Sequence, residues 1–124
     1  MKSSRLVTAL SGSTATEESS AIDVKYAKKV TLLCTRAANA GGTSTFSATG
    51  SIDGTTYVAL FLITNAATTN AQTVTRAASV AIANDNASIL AALDLENGGY
   101  HYIKVKNTET TDGTASITLL IEEE

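Results

Sequence analysis

Short runs of alternating apolar and polar residues, cut by a turn signal roughly every ten residues, constrain this chain more than any other feature. "SAIDVKY" alternates through Ile22, Val24 and Tyr26, and "KKVTLLCTR" through Val30, Leu32 and Cys34. "STFSATGSI" alternates through Phe46, Ala48, Gly50 and Ile52, and "VTRAASVAIA" through Val80 and Ile82. A period of two sends successive side chains to opposite faces of a pleated strand. Asp53-Gly54 and Asp112-Gly113 read as hairpin turns, because these residue types tolerate the positive φ that tight turns need. Asn84–Asn86 and Asn97-Gly98-Gly99 add further turns, "AANAGGTS" a loop, and "TNAATTNAQT" a polar separator. The pattern predicts an all-β chain of about eight strands, an antiparallel β-sandwich or jelly roll in a single domain.

Two stretches are less simple. "ASILAALDLE" fits a strand through Ile89, Ala91, Leu93 and Leu95, and also a helical stripe through Ile89, Leu90 and Leu93. Period alone does not separate these over so short a run, and the neighbouring strands favour a strand over residues 87–96. The run after Asp53-Gly54 is apolar on both faces, with Tyr57, Ala59, Phe61 and Ile63 on one and Val58, Leu60 and Leu62 on the other. One face is expected to fill the sandwich. The other needs a loop, an arm or a neighbouring subunit to cover it.

Composition narrows the function classes. About a sixth of the 124 residues are threonine, tryptophan and proline are absent, and only 17% are charged. The net charge of -3 and the scattering of the nine Lys and Arg residues argue against a nucleic-acid footprint. Lys25, Lys28, Lys29 and the Lys104/Lys106 pair read as solvated sheet positions. No stretch has the length of a transmembrane helix, and the N-terminus lacks the apolar run of a secretory signal, so no membrane partner is expected. Residues 1–20 contain one apolar run, Leu6-Val7-Thr8-Ala9-Leu10, then a Ser/Thr/Glu/Gly-rich segment. They read as an extended or flexible arm ahead of a sandwich domain over residues 21–124.

Catalytic chemistry finds little to work with. Cys34, the single cysteine, alternates with Val30 and Leu32 and reads as a small buried hydrophobe. His101, the single histidine, lies in line with Ile103 and Val105 and reads as a half-buried strand residue. No serine sits in a nucleophile-elbow context, and the turn aspartates Asp53 and Asp112 serve the backbone. Asp94 with Glu96, "NDN" and "DLEN" offer carboxylates and amides without the spacing of a calcium loop. Neither a metal nor a cofactor is expected, and the chain does not read as an enzyme. Tyr100 and Tyr102, facing the same way as Lys104 and Lys106, are the one possible start of an aromatic binding platform.

"GGTSTFSATGSIDGTTYVAL" and "YHYIKVKNTETTDGTASITLLIE" together resemble the small virion structural proteins of tailed bacteriophages, over roughly residues 41–121. The matching positions are Ser51, Asp53, Gly54 and Tyr57, then Tyr102, Ile103, Lys104 and Val105, then Asp112 to Ala115 with Gly113 in the turn. The resemblance implies a capsid decoration or auxiliary coat protein that self-associates, commonly as a trimer, and binds the major capsid protein in the virion. It also implies an N-terminal arm that pairs with the coat lattice, for which Leu6 to Leu10 is the candidate. A tail component, an extracellular filament subunit and a carbohydrate-binding module are the rivals. The arm itself has a simpler alternative as the first strand of the sandwich.

Overall fold

The computed structural model describes residues 3–38, 42–67, 70–83, 87–95, 100–110 and 113–123. Twelve strands and no helix appear among them. In chain order they are β1 Ser3–Ser13, β2 Glu17–Glu18, β3 Ile22–Asp23, β4 Ala27–Ala38, β5 Thr43–Ser51 and β6 Val58–Leu60. Then come β7 Leu62–Ala67, β8 Gln72–Ala77, β9 Val80–Ala83, β10 Ala87–Leu93, β11 Tyr102–Glu109 and β12 Gly113–Glu123. All pairings are antiparallel and form two facing sheets, as the alternation predicts. Sheet A has the order β1-β12-β4-β10-β7-β8. Sheet B has the order β2-β11-β5-β6, with β3 also on β11 and β9 also on β5.

The excess over eight strands has a physical source. Both edges of sheet B are assembled from short pieces: β2 and β3 share one side of β11, and β6 and β9 share one side of β5. Such pieces are too short to show a period. The segment expected to be a polar separator supplies the β7–β8 hairpin, where Thr64 pairs with Thr75 and Asn65 with Val74. It carries no hydrophobic signature because β8 is exposed at every position before Ala77. Residues 87–93 form a strand, with Ala91 and Leu93 turned into the core.

Residues 3–13 correct the expectation of a separate arm over residues 1–20. β1 pairs along β12 from Ser3 opposite Glu123 to Ser13 opposite Ala115, and Leu10 and Ser13 are buried. Leu6, Val7, Thr8, Ala9 and Leu10 therefore belong to β1, the edge strand of sheet A. The pairing is legible in hindsight, since Val7 and Leu10 meet the inward Leu119 and Ile117.

The core lies between the sheets. Val30, Leu32 and Cys34 of β4 and Ile117, Leu119 and Ile121 of β12 face Phe46 and Ala48 of β5 and Ile103 and Val105 of β11. Burial pushes the Cys34 thiol up to about 12, so it packs as an inert apolar group. The run that is apolar on both faces resolves into a corner. The chain leaves sheet B after Leu60 and enters sheet A at Leu62, and both leucines are buried while Phe61 between them stays partly exposed. The Arg76 guanidinium lies 3.9 Å from the centre of the Phe61 ring and 2.7 Å from Asp94 Oδ2. The Asp94 N–H in turn donates to the Phe61 carbonyl at 3.0 Å.

One end of the interior is polar. Arg36 continues the inward series of β4 and is fully buried. Its Nε donates to Ser44 Oγ at 2.8 Å, its Nη2 lies 2.9 Å from Glu109 Oε1, and the Ser44 hydroxyl donates to Glu109 Oε2. Arg36 belongs to sheet A, and Ser44 and Glu109 to sheet B, so the ion pair ties the sheets together. Gly113 makes room for it, because a Cβ there would fall 2.5 Å from Arg36 Nη2. Arg36→Met should cost about 3–5 kcal/mol by stranding the buried Glu109 carboxylate. Arg36→Met combined with Glu109→Met should recover much of that loss, and urea titration of the two single variants and the double variant checks the sign of the coupling.

Candidate interaction surface

The two sheets turn very different faces to solvent. On sheet B the outward side chains are Tyr102, Lys104, Lys106 and Thr108 of β11 and Thr45, Ser47 and Thr49 of β5. Lys104 Nζ sits 4.5 Å from the centre of the Tyr57 ring, and Lys25 Nζ 5.7 Å from that of Tyr102. This is a polar, cation-bearing surface. On sheet A the register aligns Leu6, Leu120, Thr31, Ala92 and Ile63 in one row across five strands. The next row holds Thr8, Thr118, Leu33 and Leu90. Leu6 is 73% and Leu90 64% exposed, and Leu33 is exposed as well. Leucines at this density on the solvent side of a wide sheet form a patch of the kind that marks an association site.

Charge appears at the end of that face. Glu122 and Lys29 are register partners on β12 and β4. With Ser3, Ser4, Lys28 and Glu123 they line an open groove of about 400 Å³. At the far side, the β7–β8 hairpin exposes Val74 at 62%. Both flanks of sheet A are edge strands, β1 and β8.

The aromatic platform is not assembled. Tyr102 lies on the outer face of sheet B, where its ring is 3.5 Å from the Cβ position of Gly54. Tyr100 instead turns inward over Gly50, where a Cβ would meet the Tyr100 ring at 2.6 Å, and packs against the core. The parity breaks because β11 begins at Tyr102. For the same reason His101 is exposed rather than in line with Ile103, and its backbone bonds Ser51 and Val24 instead of continuing the ladder.

Asp53 and Gly54 are a turn device, in a longer connection than a two-residue hairpin, since β5 ends at Ser51 and β6 begins at Val58. Gly54 adopts φ +78°, and its N–H donates to Ser51 Oγ at 2.9 Å. Asp53 Oδ1 accepts the N–H groups of Thr55 at 2.8 Å and Thr56 at 2.9 Å, and the Ser51 hydroxyl at 2.9 Å. Gly113 is buried at the start of β12. Asp112 and the expected turns at Asn84–Asn86 and Asn97–Gly99 lie outside the described residues. Among the described residues, no group of three or more His, Cys, Asp or Glu is placed to hold a metal ion.

The chain matches no protein-family model and no curated protein. Among solved structures it resembles the SPBc2 prophage-derived protein YomS, with a TM-score of 0.68 over 99% of this chain and 96% of that one. The two chains share one fold. At 11% identity the likeness lies in the backbone arrangement, and it extends to both sheets because nearly the whole of each chain is aligned.

The Thr56 and Thr55 N–H groups, with the Ser51 hydroxyl, hold the Asp53 carboxyl below its ordinary value. A depressed folded-state pKa contributes stability above the unfolded value near ~3.9, and that contribution fades as pH falls through the folded one. Asp53→Ala should therefore lower the thermal midpoint at pH 7, with the gap to wild type narrowing below about pH 4. A gap unchanged down to pH 2.5 in paired melts would remove the charge from the account of this turn.

Proposed function

We propose that this chain is a non-enzymatic structural component of a phage virion, a capsid decoration protein that self-associates and binds the coat lattice. The observation that carries this reading is the leucine-bearing outer face of sheet A. A sheet whose inner face already fills a core leaves such a face without an intramolecular role, and apolar burial against another protein stabilises by roughly 25 cal/mol per Å². The resemblance of the turn and strand motifs to small virion proteins supports the phage setting. So does the fold shared with a prophage-derived protein.

The two surfaces suggest a division of labour. The apolar face of sheet A suits permanent burial, whereas the polar face of sheet B, with Lys104 and Lys106, suits solvent. β8, exposed at every position before Ala77 and lying at the edge of sheet A, is the element suited to the coat lattice.

Particles purified from cells carrying the gene should contain the chain in stoichiometric amounts by mass spectrometry. Shortening the β7–β8 hairpin should reduce its co-sedimentation with particles at least tenfold while leaving the far-UV spectrum of the isolated chain unchanged. Particles free of the chain would overturn the virion assignment.

A further inference from the structure

The outer face of the β1-β12-β4-β10 portion of sheet A carries its own complement. In one row β1 and β12 present the large Leu6 and Leu120, and β4 and β10 the smaller Thr31 and Ala92. In the next row the order inverts, with Thr8 and Thr118 small and Leu33 and Leu90 large. A half-turn about an axis along the strands, between β12 and β4, exchanges β12 with β4 and β1 with β10. It sets Leu120 on Thr31, Leu6 on Ala92, Leu33 on Thr118 and Leu90 on Thr8, a large side chain against a smaller one at every position.

The same half-turn answers the charges. Glu122 and Lys29 are the charged residues of outward parity within these registers, and the operation lays each over the other. An axis one strand over, between β4 and β10, instead sets Leu33 on Leu90 and Leu120 on Ile63, and loses the Glu122–Lys29 exchange. Among half-turns along the strands, shape and charge thus select one axis. A half-turn across them, between the two rows, also sets large on small but lays Glu122 on Ser116 and Lys29 on Thr35, so charge decides against it.

We infer that a second copy of this chain seats on this face through that half-turn, forming a closed two-fold pair. This rests on reading the face as an assembly surface, and it names the partner. The area is adequate. Strands of 11, 11, 12 and 7 residues at ~3.4 Å each, laid side by side at ~4.8 Å, cover roughly 670 Å², not far below the ~800 Å² per partner of stable interfaces. A two-fold interface uses the same patch on both copies, so it closes without leaving a second apolar face open. The β7–β8 hairpin lies outside the four strands and overhangs the second copy, free to contact a lattice.

Light scattering and sedimentation equilibrium on the full chain should give two copies at micromolar concentration. Leu90→Glu should weaken the pair about a hundredfold or more, because each substitution enters the interface twice. The axis is read by mixing Thr8→Cys with Leu90→Cys and adding a short bis-maleimide, with the buried Cys34 as an unreactive background. Cross-linked dimer is expected from the mixture and not from Thr8→Cys alone. A monomer at a hundred micromolar, a trimer, or a dimer without the Thr8–Leu90 cross-link would each overturn the pairing. A monomer that still enters particles overturns the pair and leaves the virion role standing, and a dimer absent from particles does the reverse.

Discussion

The ion pair between Arg36 and Glu109 is the contact on which the alignment of the two sheets depends. Apolar side chains facing across a sandwich tolerate sliding, since dispersion and burial have little directional preference. A buried guanidinium does not. Away from water it must meet its carboxylate and hydroxyl partners at hydrogen-bond distance, and any displacement of sheet A against sheet B strands charge in a medium that solvates it poorly. Ser44 closes the triangle by bonding both partners. The lack of a side chain at Gly113 lets the guanidinium lie flat across β12. The polar end continues to Ser13 and Asn107, both buried. The interior is thus graded from a registering polar end to the apolar core between the sheets.

A fixed relation between the sheets also gives the outer face of sheet A a defined shape. Rows of side chains complement a second surface only if the strands beneath them keep register and twist. β4 contributes to both sides of this requirement, with Arg36 inward in the ion pair and Thr31 and Leu33 outward in the apolar rows. Loss of the inner contact would loosen the strand that carries the centre of the outer patch.

Much of the fold was legible in the sequence, and the failures have two causes. Alternation marks the long strands β4, β5, β11 and β12; β10 needs its neighbours to separate it from a helix, and β1, 11 residues long with Leu10 and Ser13 buried, reads as an arm. Alternation even contained the ion pair, because Arg36 follows Val30, Leu32 and Cys34 at the same parity, and Glu109 follows Ile103, Val105 and Asn107. A charged residue at an inward position of two separate strands, with opposite signs, was the available signal. Period two was silent where burial does not alternate. β8 is exposed on both faces, and β2, β3, β6 and β9 have between two and four residues each. Parity also failed where a strand ended sooner than its pattern: at Tyr100 before β11, and at Ile52, exposed beyond the end of β5.

The run from Tyr57 to Ile63 shows why a candidate surface is harder to read than a core. Its two apolar faces suggested a strand buried on both sides, by a loop, an arm or a neighbour. The chain instead spends those residues on a change of sheet, with Leu60 facing the core from one layer and Leu62 from the other. Phe61 at the bend lies under the Arg76 guanidinium, a cation over a ring face, so its exposure is an internal device of the corner. The leucines that do await a partner are Leu6, Leu33, Leu90 and Leu120, spread over four strands far apart in the chain. Each alone is an unremarkable outward position. Only the strand order β1-β12-β4-β10 gathers them, and that order is a property of topology that local patterning does not encode.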